Sequence, residues 1–256
     1  MLLRCLLLLL VLALPGRPLL AAGCFPVAAA PARAWPAALP GAAAVRLTFL
    51  GHSSFLLESA GGVTAVTDFN GYVRPALTPD IVTMNNAHST HFTPSPDPAI
   101  RHVLRGWALS GAAEHDLVIE DMRVRSVPTA VHGRTGARAL GNSMFVFEVA
   151  DLCIAHLGHL HHRLLPVQLA ELGQIDVVLA PIDGAYTMSQ EEMLEVLRQI
   201  RAPLVIPMHY FGSTVLGRFV ELARGEWDID MRGEPELLLS RTTLPRRPTV
   251  TVLPGG

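Results

Sequence analysis

Short apolar segments separated by turn-forming residues dominate the chain from residue 45 onward. Apolar and polar positions partly alternate over residues 45–50, 54–58 and 63–67, with Gly51-His52 and Gly61-Gly62 between these segments. Alternation with a period of two predicts half-buried β-strands, and the paired glycines predict a hairpin turn. The first half of the chain is therefore predicted to begin as a set of consecutive strands.

Further strands are predicted wherever short apolar runs end in turn residues. They cover residues 81–84, 117–120, 122–128, 144–149 and 152–156. Residues 130–142 are rich in glycine and arginine, and they are predicted to form a loop.

The pattern changes after residue 160, where helical and strand segments alternate. Residues 189–200 have an apolar stripe with helical spacing, and Ser189 followed by Glu191 and Glu192 is typical of a helix start. Helices are also predicted at 166–172 and 216–224, and strands at 177–180, 204–208 and 249–253. A β-rich half followed by a βαβα half favours an α/β fold, a four-layer αββα sandwich of two sheets with helices outside.

The N-terminus has the features of an export signal. Arg4 precedes an apolar run at residues 6–14, and Pro15-Gly16 ends this run before it could span a bilayer. We interpret residues 1–34 as signal peptide and processing region, 35–44 as linker, and 45–256 as one domain. Ala21-Ala22-Gly23-Cys24 also resembles a lipoprotein site, and an uncleaved anchor is a third interpretation.

Composition restricts the partners. A net charge of -2 in 256 residues argues against nucleic acid as a partner. The processed chain has no predicted membrane span. The expected partner is therefore a small-molecule substrate. The sequence carries no signal for an oligomeric state. Export would make the protein secreted or periplasmic, yet processing leaves at most Cys24 and Cys153, so no disulfide framework is expected.

Eleven histidines are present, and five of them follow predicted strands: His88, His91, His132, His159 and His209. Loops at one edge of such a sandwich can bring distant side chains together, and imidazole suits Zn²⁺ among divalent metals. We therefore predict that these five histidines form a shared metal site. His102 and His115 are interpreted as structural residues.

Several motifs together resemble the metallo-β-lactamase superfamily, in particular its hydrolases related to lactonases and phosphodiesterases. They are Gly51-His52-Ser53-Ser54-Phe55, Thr67-Asp68, the segment 86–91, the histidine-rich segment 155–162, and Ile206-Pro207-Met208-His209-Tyr210. The resemblance implies the αββα fold, a zinc-dependent hydrolase activity, and His132 and His209 as later metal ligands. It also implies that His52 faces the mouth of the site.

Two departures from the family pattern concern its carboxylates. The family has His-x-His-x-Asp-His where this chain has Asn86-Ala87-His88-Ser89-Thr90-His91, and histidine occupies position 159 in place of the bridging aspartate. Two close cations need anionic ligands to offset their repulsion, so one zinc ion is favoured, although two ions or another divalent metal remain open. Asp68 is the candidate base or the partner of a ligand histidine. Tyr210 and Tyr186 are candidate oxyanion contacts.

Three function classes are compatible with these residues. The first is an exported hydrolase in which a metal-activated water attacks an ester, lactone, amide or phosphodiester. The alternative is a metal- or ligand-binding pseudoenzyme that keeps the fold, because both expected aspartates are missing. The third is an iron-dependent, oxygen-using enzyme on the same scaffold.

Overall fold

Two β-sheets pack face to face, and three helices cover one of them. A computed structural model describes residues 23–25, 44–133 and 136–255. The first eleven elements are β1 (Val45–Gly51), β2 (Ser54–Ser59), β3 (Thr64–Val66), β4 (Ile81–Met84), β5 (His102–Arg105), β6 (Asp116–Ile119), β7 (Met122–Gly133), β8 (Gly136–Val149), β9 (Leu152–His156), α1 (Pro166–Leu172) and β10 (Val177–Pro181). The remaining elements are α2 (Gln190–Ile200), β11 (Leu204–Met208), α3 (Ser213–Ala223), β12 (Asp228–Met231), β13 (Glu236–Leu239) and β14 (Thr249–Val252).

The strands divide into a six-stranded and an eight-stranded mixed sheet. The first has the order β13-β1-β2-β3-β4-β5, and the second has the order β12-β14-β11-β10-β9-β8-β7-β6. Strands β3, β4 and β5 are parallel to one another, as are β9, β10, β11 and β14. The predicted α/β sandwich is confirmed.

The main core lies between the two sheets. In β1, alternate residues such as Val45 and Leu47 point into this core, while Arg46 is exposed. In β10 every residue is buried, because Val177 faces the inter-sheet core and Val178 faces the helices. An uninterrupted apolar run is what a parallel strand covered on both faces requires.

The helices pack on the outer face of the eight-stranded sheet. Helix α2 begins after Ser189, whose hydroxyl oxygen accepts a hydrogen bond from the backbone N–H of Glu192 at 3.2 Å. Its apolar stripe, which includes Met193 and Leu197, is buried against the sheet together with Phe219 of α3. None of the described helices is long and apolar enough to cross a membrane.

Loops, rather than a helix, cover the outer face of the six-stranded sheet in the part of the chain that the structure describes. Val82 and Met84 of β4 pack there against Phe69 and Ile100. This loop layer carries the segment 85–91, and it therefore brings part of the predicted metal site to the sheet edge.

Three predictions about the elements were wrong. Residues 130–133 and 136–142 extend the β7–β8 hairpin, although the exposed residues among them lack the alternation that predicts a strand. Three short strands, β5, β12 and β13, were not predicted: β5 and β12 have few buried residues, and β13 buries only Leu237 and Leu239. Helix α3 begins three residues earlier than expected, at Ser213.

A disulfide joins Cys24 to Cys153 at the start of β9, contrary to the expectation of no disulfide framework. Both cysteines are buried, and the carbonyl of Cys24 accepts a hydrogen bond from the N–H of Gln174 at 2.8 Å. The guanidinium of Arg125 lies 4.8 Å from the centre of the Phe25 ring. These contacts hold residues 23–25 against the domain. The predicted signal run, and residues 35–43 of the predicted linker, lie outside the described residues.

Candidate metal centre

One rim of the sandwich collects histidines from both sheets. His91 lies in the loop after β4, His159 follows β9, and His209 comes directly after β11. The turn between β1 and β2 adds His52 at the same rim. The centre of the His91 ring lies 4.7 Å from that of His159, 5.0 Å from that of His209 and 5.6 Å from that of His52. The convergence predicted from the sequence therefore occurs, with His52 as an additional member.

A buried carboxylate orients His91. The Nδ1–H of His91 donates a hydrogen bond to Asp68 Oδ2, and the Ser53 hydroxyl donates to the same oxygen at 2.5 Å. Burial alone would raise the pKa of Asp68, but its contact with His91 and the hydrogen bond from Ser53 lower it below its ordinary range. An ionised carboxylate on Nδ1 selects the tautomer of His91 in which Nε2 carries the free lone pair.

A second carboxylate orients His209 in the same way. Asp183 follows β10, and its Oδ2 accepts hydrogen bonds from His209 Nδ1 at 2.9 Å and from the Thr187 hydroxyl at 2.6 Å. Its Oδ1 accepts from three backbone N–H groups, those of residues 185–187. Burial opposes ionisation, but these hydrogen bonds lower the pKa of Asp183 below its ordinary range. His209 is thereby held with Nε2 directed towards His91.

The two Nε2 atoms of His91 and His209 lie 3.2 Å apart. With each Nδ1 donating its proton to a carboxylate, the neutral rings present both Nε2 lone pairs to each other, an arrangement that a metal ion bound to both nitrogens would satisfy. A tetrahedral zinc ion with ordinary Zn–N bonds holds two ligand nitrogens about 3.3–3.4 Å apart. The residues present therefore fit a divalent metal.

His52 provides a third nitrogen. One ring nitrogen of each of His52, His91 and His209 lies within 4.8 Å of the others. The Nε2 atom of His52 is buried and has no hydrogen-bond partner among the described residues. The backbone couples this turn to the end of β11, because the N–H of His209 donates to the carbonyl of His52 at 2.7 Å. An unpartnered buried nitrogen beside two oriented imidazoles is consistent with a third ligand.

The surroundings favour neutral imidazoles, which is the form that binds metals. Burial, together with His209 and His91, lowers the pKa of His52 to about 4. Burial and the same two neighbours lower the pKa of His159 to about 2. The lone pairs of these rings are therefore free for coordination at neutral pH.

Three residues of the centre adopt left-handed backbone conformations. The φ angles are 54° at His52, 50° at Asp68 and 54° at His209. Such conformations in non-glycine residues cost roughly 1–3 kcal/mol each, and they accumulate at functional sites because surrounding contacts maintain them. Here they direct the three side chains from strand ends into one space.

The other predicted ligands surround this centre. His159 is buried, and its Nδ1 shares a hydrogen bond with His161 Nε2 at 2.7 Å. His88 is exposed, and its ring stacks 6.2 Å from that of His159. His132 is also exposed, and its ring centre is 6.0 Å from that of His161. The structure thus brings His88 and His159 next to the centre and leaves His132 at its margin.

A glycine allows the His159 loop to approach the loop after β4. Gly158 has a φ of 62°, and a β-carbon there would lie 2.6 Å from Asn142 Oδ1 and 2.7 Å from Asn85 Nδ2. The same Asn142 oxygen accepts a hydrogen bond from the N–H of His159 at 2.9 Å. The approach of Gly158 to Asn85 brings the loop after β9, in the eight-stranded sheet, against the loop after β4, in the six-stranded sheet.

A cavity of about 910 Å³ opens over the centre. His88, His159 and His209 line it together with Arg138, Tyr186 and Phe211. The rings of Tyr186 and Phe211 meet edge to face with centres 5.8 Å apart. The cavity is large enough for a drug-sized ligand.

The two predicted catalytic residues occupy different surroundings. Asp68 is fully buried behind His91, which favours the positioning role over that of a base. The Tyr210 hydroxyl donates to the carbonyl of Leu253 at 3.4 Å, and its ring packs with the helical layer. The structure therefore directs Tyr210 away from the histidines, contrary to the expected oxyanion contact, while Tyr186 lines the cavity.

Asp183 is a functional residue that was not predicted from the sequence. Its signal was an aspartate at the end of the strand 177–181, followed by Gly184, at the same rim as the histidines. Aspartate before glycine is common in turns, so this pattern does not by itself indicate a functional residue.

Replacing Asp183 with asparagine is expected to weaken metal binding about 10–100-fold, the usual effect of losing a carboxylate behind a ligand histidine. Competition with a chromogenic chelator would measure the dissociation constant. Thr187→Val is the matched control, because it removes the other hydrogen bond to Oδ2 and keeps the charge. Equal losses in both variants would show that the turn, rather than the carboxylate on His209, determines affinity.

The sequence matches known proteins over most of the domain. A family profile described as "Beta-lactamase superfamily domain" matches residues 46–209. A protein named UPF0173 metal-dependent hydrolase from Methanoculleus marisnigri is 30% identical over 187 residues, which cover 65% of this chain and 81% of the relative. Another of the same name from Opitutus terrae is 30% identical over 198 residues, covering 65% and 85%.

Solved structures agree with the sequence matches. A Thermotoga maritima protein, described as a candidate Zn-dependent hydrolase of the metallo-β-lactamase superfamily, has a TM-score of 0.62 and 28% identity, covering 81% of this chain and 97% of that one. A protein from Parabacteroides distasonis shares the fold with a TM-score of 0.57 at 16% identity, covering 71% and 89%. With its fold, its matched motifs and these relatives, the chain belongs to the metallo-β-lactamase superfamily of metal-dependent hydrolases.

Proposed function

We propose that this protein is an exported hydrolase in which one zinc ion, held by His52, His91 and His209, activates water for attack on an ester, lactone, amide or phosphodiester. The observation that carries the proposal is the 3.2 Å approach of two Nε2 atoms whose Nδ1 atoms are each bound to a carboxylate. Zinc bound by these residues would lower the pKa of a coordinated water to about 7 and would polarise the bond to be cleaved.

Other residues of the site would orient the ligand histidines, accept a proton and exclude solvent. Asp68 and Asp183 hold the ligand tautomers, and neither lines the cavity. None of the residues described as lining the cavity is acidic, so the exposed imidazole of His88 is the candidate to accept a proton from water, whereas burial holds the pKa of His159 too low for that role. Tyr186 and Phe211 supply an apolar wall against which a substrate can exclude solvent.

Loss of the family's two aspartates supports one metal over two. Thr90 and His159 occupy those positions, and neither supplies the negative charge that two adjacent cations require. Restoring the charge with Thr90→Asp and His159→Asp together is expected to raise the metal content from about one ion per chain towards two. Inductively coupled plasma mass spectrometry on desalted protein would measure this.

The control for that double substitution is Thr90→Asn with His159→Asn, which has similar size and no charge. An increase in both variants would mean that side-chain shape, rather than charge, limits the number of ions. An unchanged content in the aspartate variant would remove the electrostatic explanation.

The disulfide supports export and restricts the processing site. A bond between buried cysteines persists in oxidising compartments and is rare in reducing ones. Retention of Cys24 requires either signal cleavage before that residue or an uncleaved anchor, since cleavage near Ala34 would remove it. Lipid attachment would need the same sulfur atom, so the disulfide argues against anchoring at Cys24.

Metal analysis followed by a substrate screen tests the function. The chain produced with its signal should bind one zinc ion and hydrolyse 4-nitrophenyl acetate, a γ-lactone or bis-4-nitrophenyl phosphate. The variant with His91→Ala and His209→Ala should lose both properties. Bound metal with no hydrolysis of any class would support the metal-binding pseudoenzyme, and absence of a bound transition metal would exclude the proposal.

A further inference from the structure

The cavity over the metal centre contains one permanently charged side chain among its described lining residues, that of Arg138. This residue lies on β8 opposite Val131 of β7, in the hairpin that extends past the sheet. The same hairpin was predicted to be a loop. Its extension as two paired strands therefore gives Arg138 a defined position at the cavity.

A glycine makes room for this arginine. A β-carbon at Gly141 would lie 2.4 Å from Val131 Cγ2, 3.1 Å from Arg138 Cβ and 3.5 Å from Arg138 Nε. A β-carbon at position 141 would thus collide with Val131 in the wall of the cavity and press against the stem of Arg138. The absence of a side chain lets the stem of Arg138 lie across the strand.

No acidic group neutralises Arg138 in the part of the chain that the structure describes. It takes part in none of the described ion pairs, and no Asp or Glu lines the cavity. Residues 1–22, 26–43, 134–135 and 256, which complete the chain, contain no Asp or Glu. The guanidinium therefore contributes an uncompensated positive charge to a cavity otherwise lined by imidazoles, aromatic rings and small residues.

We propose that the substrate carries an oxyanion group, a carboxylate or a phosphate, that binds Arg138 while the bond to be cleaved lies at the histidine cluster. Guanidinium binds both groups through two parallel hydrogen bonds, which fixes orientation as well as position. The apolar wall of Tyr186 and Phe211 suits the remainder of such a molecule. This proposal rests on the proposed hydrolase function and names the substrate class that this hydrolase would take.

Two esters that differ only in charge test the carboxylate case. Mono-4-nitrophenyl succinate has a carboxylate where 4-nitrophenyl butyrate has a methyl group, and the leaving group is the same. Arg138→Gln is expected to lower kcat/KM for the succinate ester about tenfold or more through KM, and to leave the butyrate ester unchanged. Arg138→Lys should recover part of the loss, because it restores charge but not the paired hydrogen bonds.

A binding measurement separates this proposal from the hydrolase itself. Calorimetric titration of succinate and of inorganic phosphate into wild type and Arg138→Gln should show at least one anion bound about tenfold more weakly by the variant. The anion that responds identifies the group. Arg246→Gln, which removes an exposed arginine outside the cavity, is the control for net charge.

The outcomes of these experiments separate the anion site at Arg138 from the proposed hydrolase function. If no ester is hydrolysed but anion binding still depends on Arg138, the anion site stands and the hydrolase proposal fails. If esters are hydrolysed without a charge preference and the anions bind wild type and variant equally, the anion site is wrong. Equal losses in Arg138→Gln and Arg246→Gln, or equal losses for both esters, would also overturn it.

Discussion

Replacing His209 with alanine is expected to weaken zinc binding by more than about 100-fold, beyond the usual effect of losing a carboxylate partner. The substitution removes one of two facing Nε2 atoms and leaves Asp183 as a buried carboxylate without its imidazole. The remaining nitrogens of His52 and His91 cannot complete a tetrahedral site. Hydrolysis should fall with metal occupancy, which chelator competition would quantify.

The control for this prediction is His102→Ala, which removes a histidine that lies on β5 and does not line the cavity. Metal affinity should stay at the wild-type value in that variant. His52→Ala should weaken binding in the same direction as His209→Ala. Full metal affinity in His52→Ala would exclude His52 as a ligand. Full metal affinity in His209→Ala would contradict the proposed metal centre.

Replacing Cys153 with serine is expected to lower the free energy of unfolding by about 2–4 kcal/mol, the usual contribution of a disulfide. The bond closes a segment with a sequence separation of 129, for which the chain-entropy model gives an upper value of about 5 kcal/mol. In a domain of this size the melting temperature should fall by roughly 5–15 °C. Urea unfolding followed by circular dichroism would measure the difference.

Cys24→Ser is the matched control, because it breaks the same bond from the other end. If the bond is responsible, both single variants and the double variant should be destabilised by similar amounts. A large effect of Cys153→Ser with no effect of Cys24→Ser would assign the stability to packing of Cys153 in the core. Addition of a reductant to wild type should reproduce the single variants.

The helical half of the chain was predictable because its signals are local. Ser189 supplies its own side chain to the first turn of α2, and the apolar stripe after it has one spacing and one buried face. The strands β10 and β11 are continuous apolar runs that end in turns. In such segments, the residues that determine whether a helix or a strand forms lie within the segment itself.

Edge strands and the long hairpin were not predictable from the same signals. Residues 138–140 of β8 are exposed, so no hydrophobic alternation marks them as strand. Strand β12 is held by its parallel pairing with β14, about twenty residues further along the chain. Backbone pairing to a distant partner leaves little trace in the local sequence.

The sequence by itself determined the order of elements, the α/β class, and the delivery of His91, His159 and His209 to strand ends at one rim. Tertiary structure alone decided which nitrogens face each other, because Asp68 and Asp183 act on rings 23 and 26 residues away. It also places His132 and Tyr210 away from the centre. A ring nitrogen of His52 lies within 4.8 Å of those of His91 and His209, and Cys24 is paired with Cys153. Strand ends follow from local patterns, whereas the direction of a side chain depends on partners that only the folded chain brings within hydrogen-bonding distance.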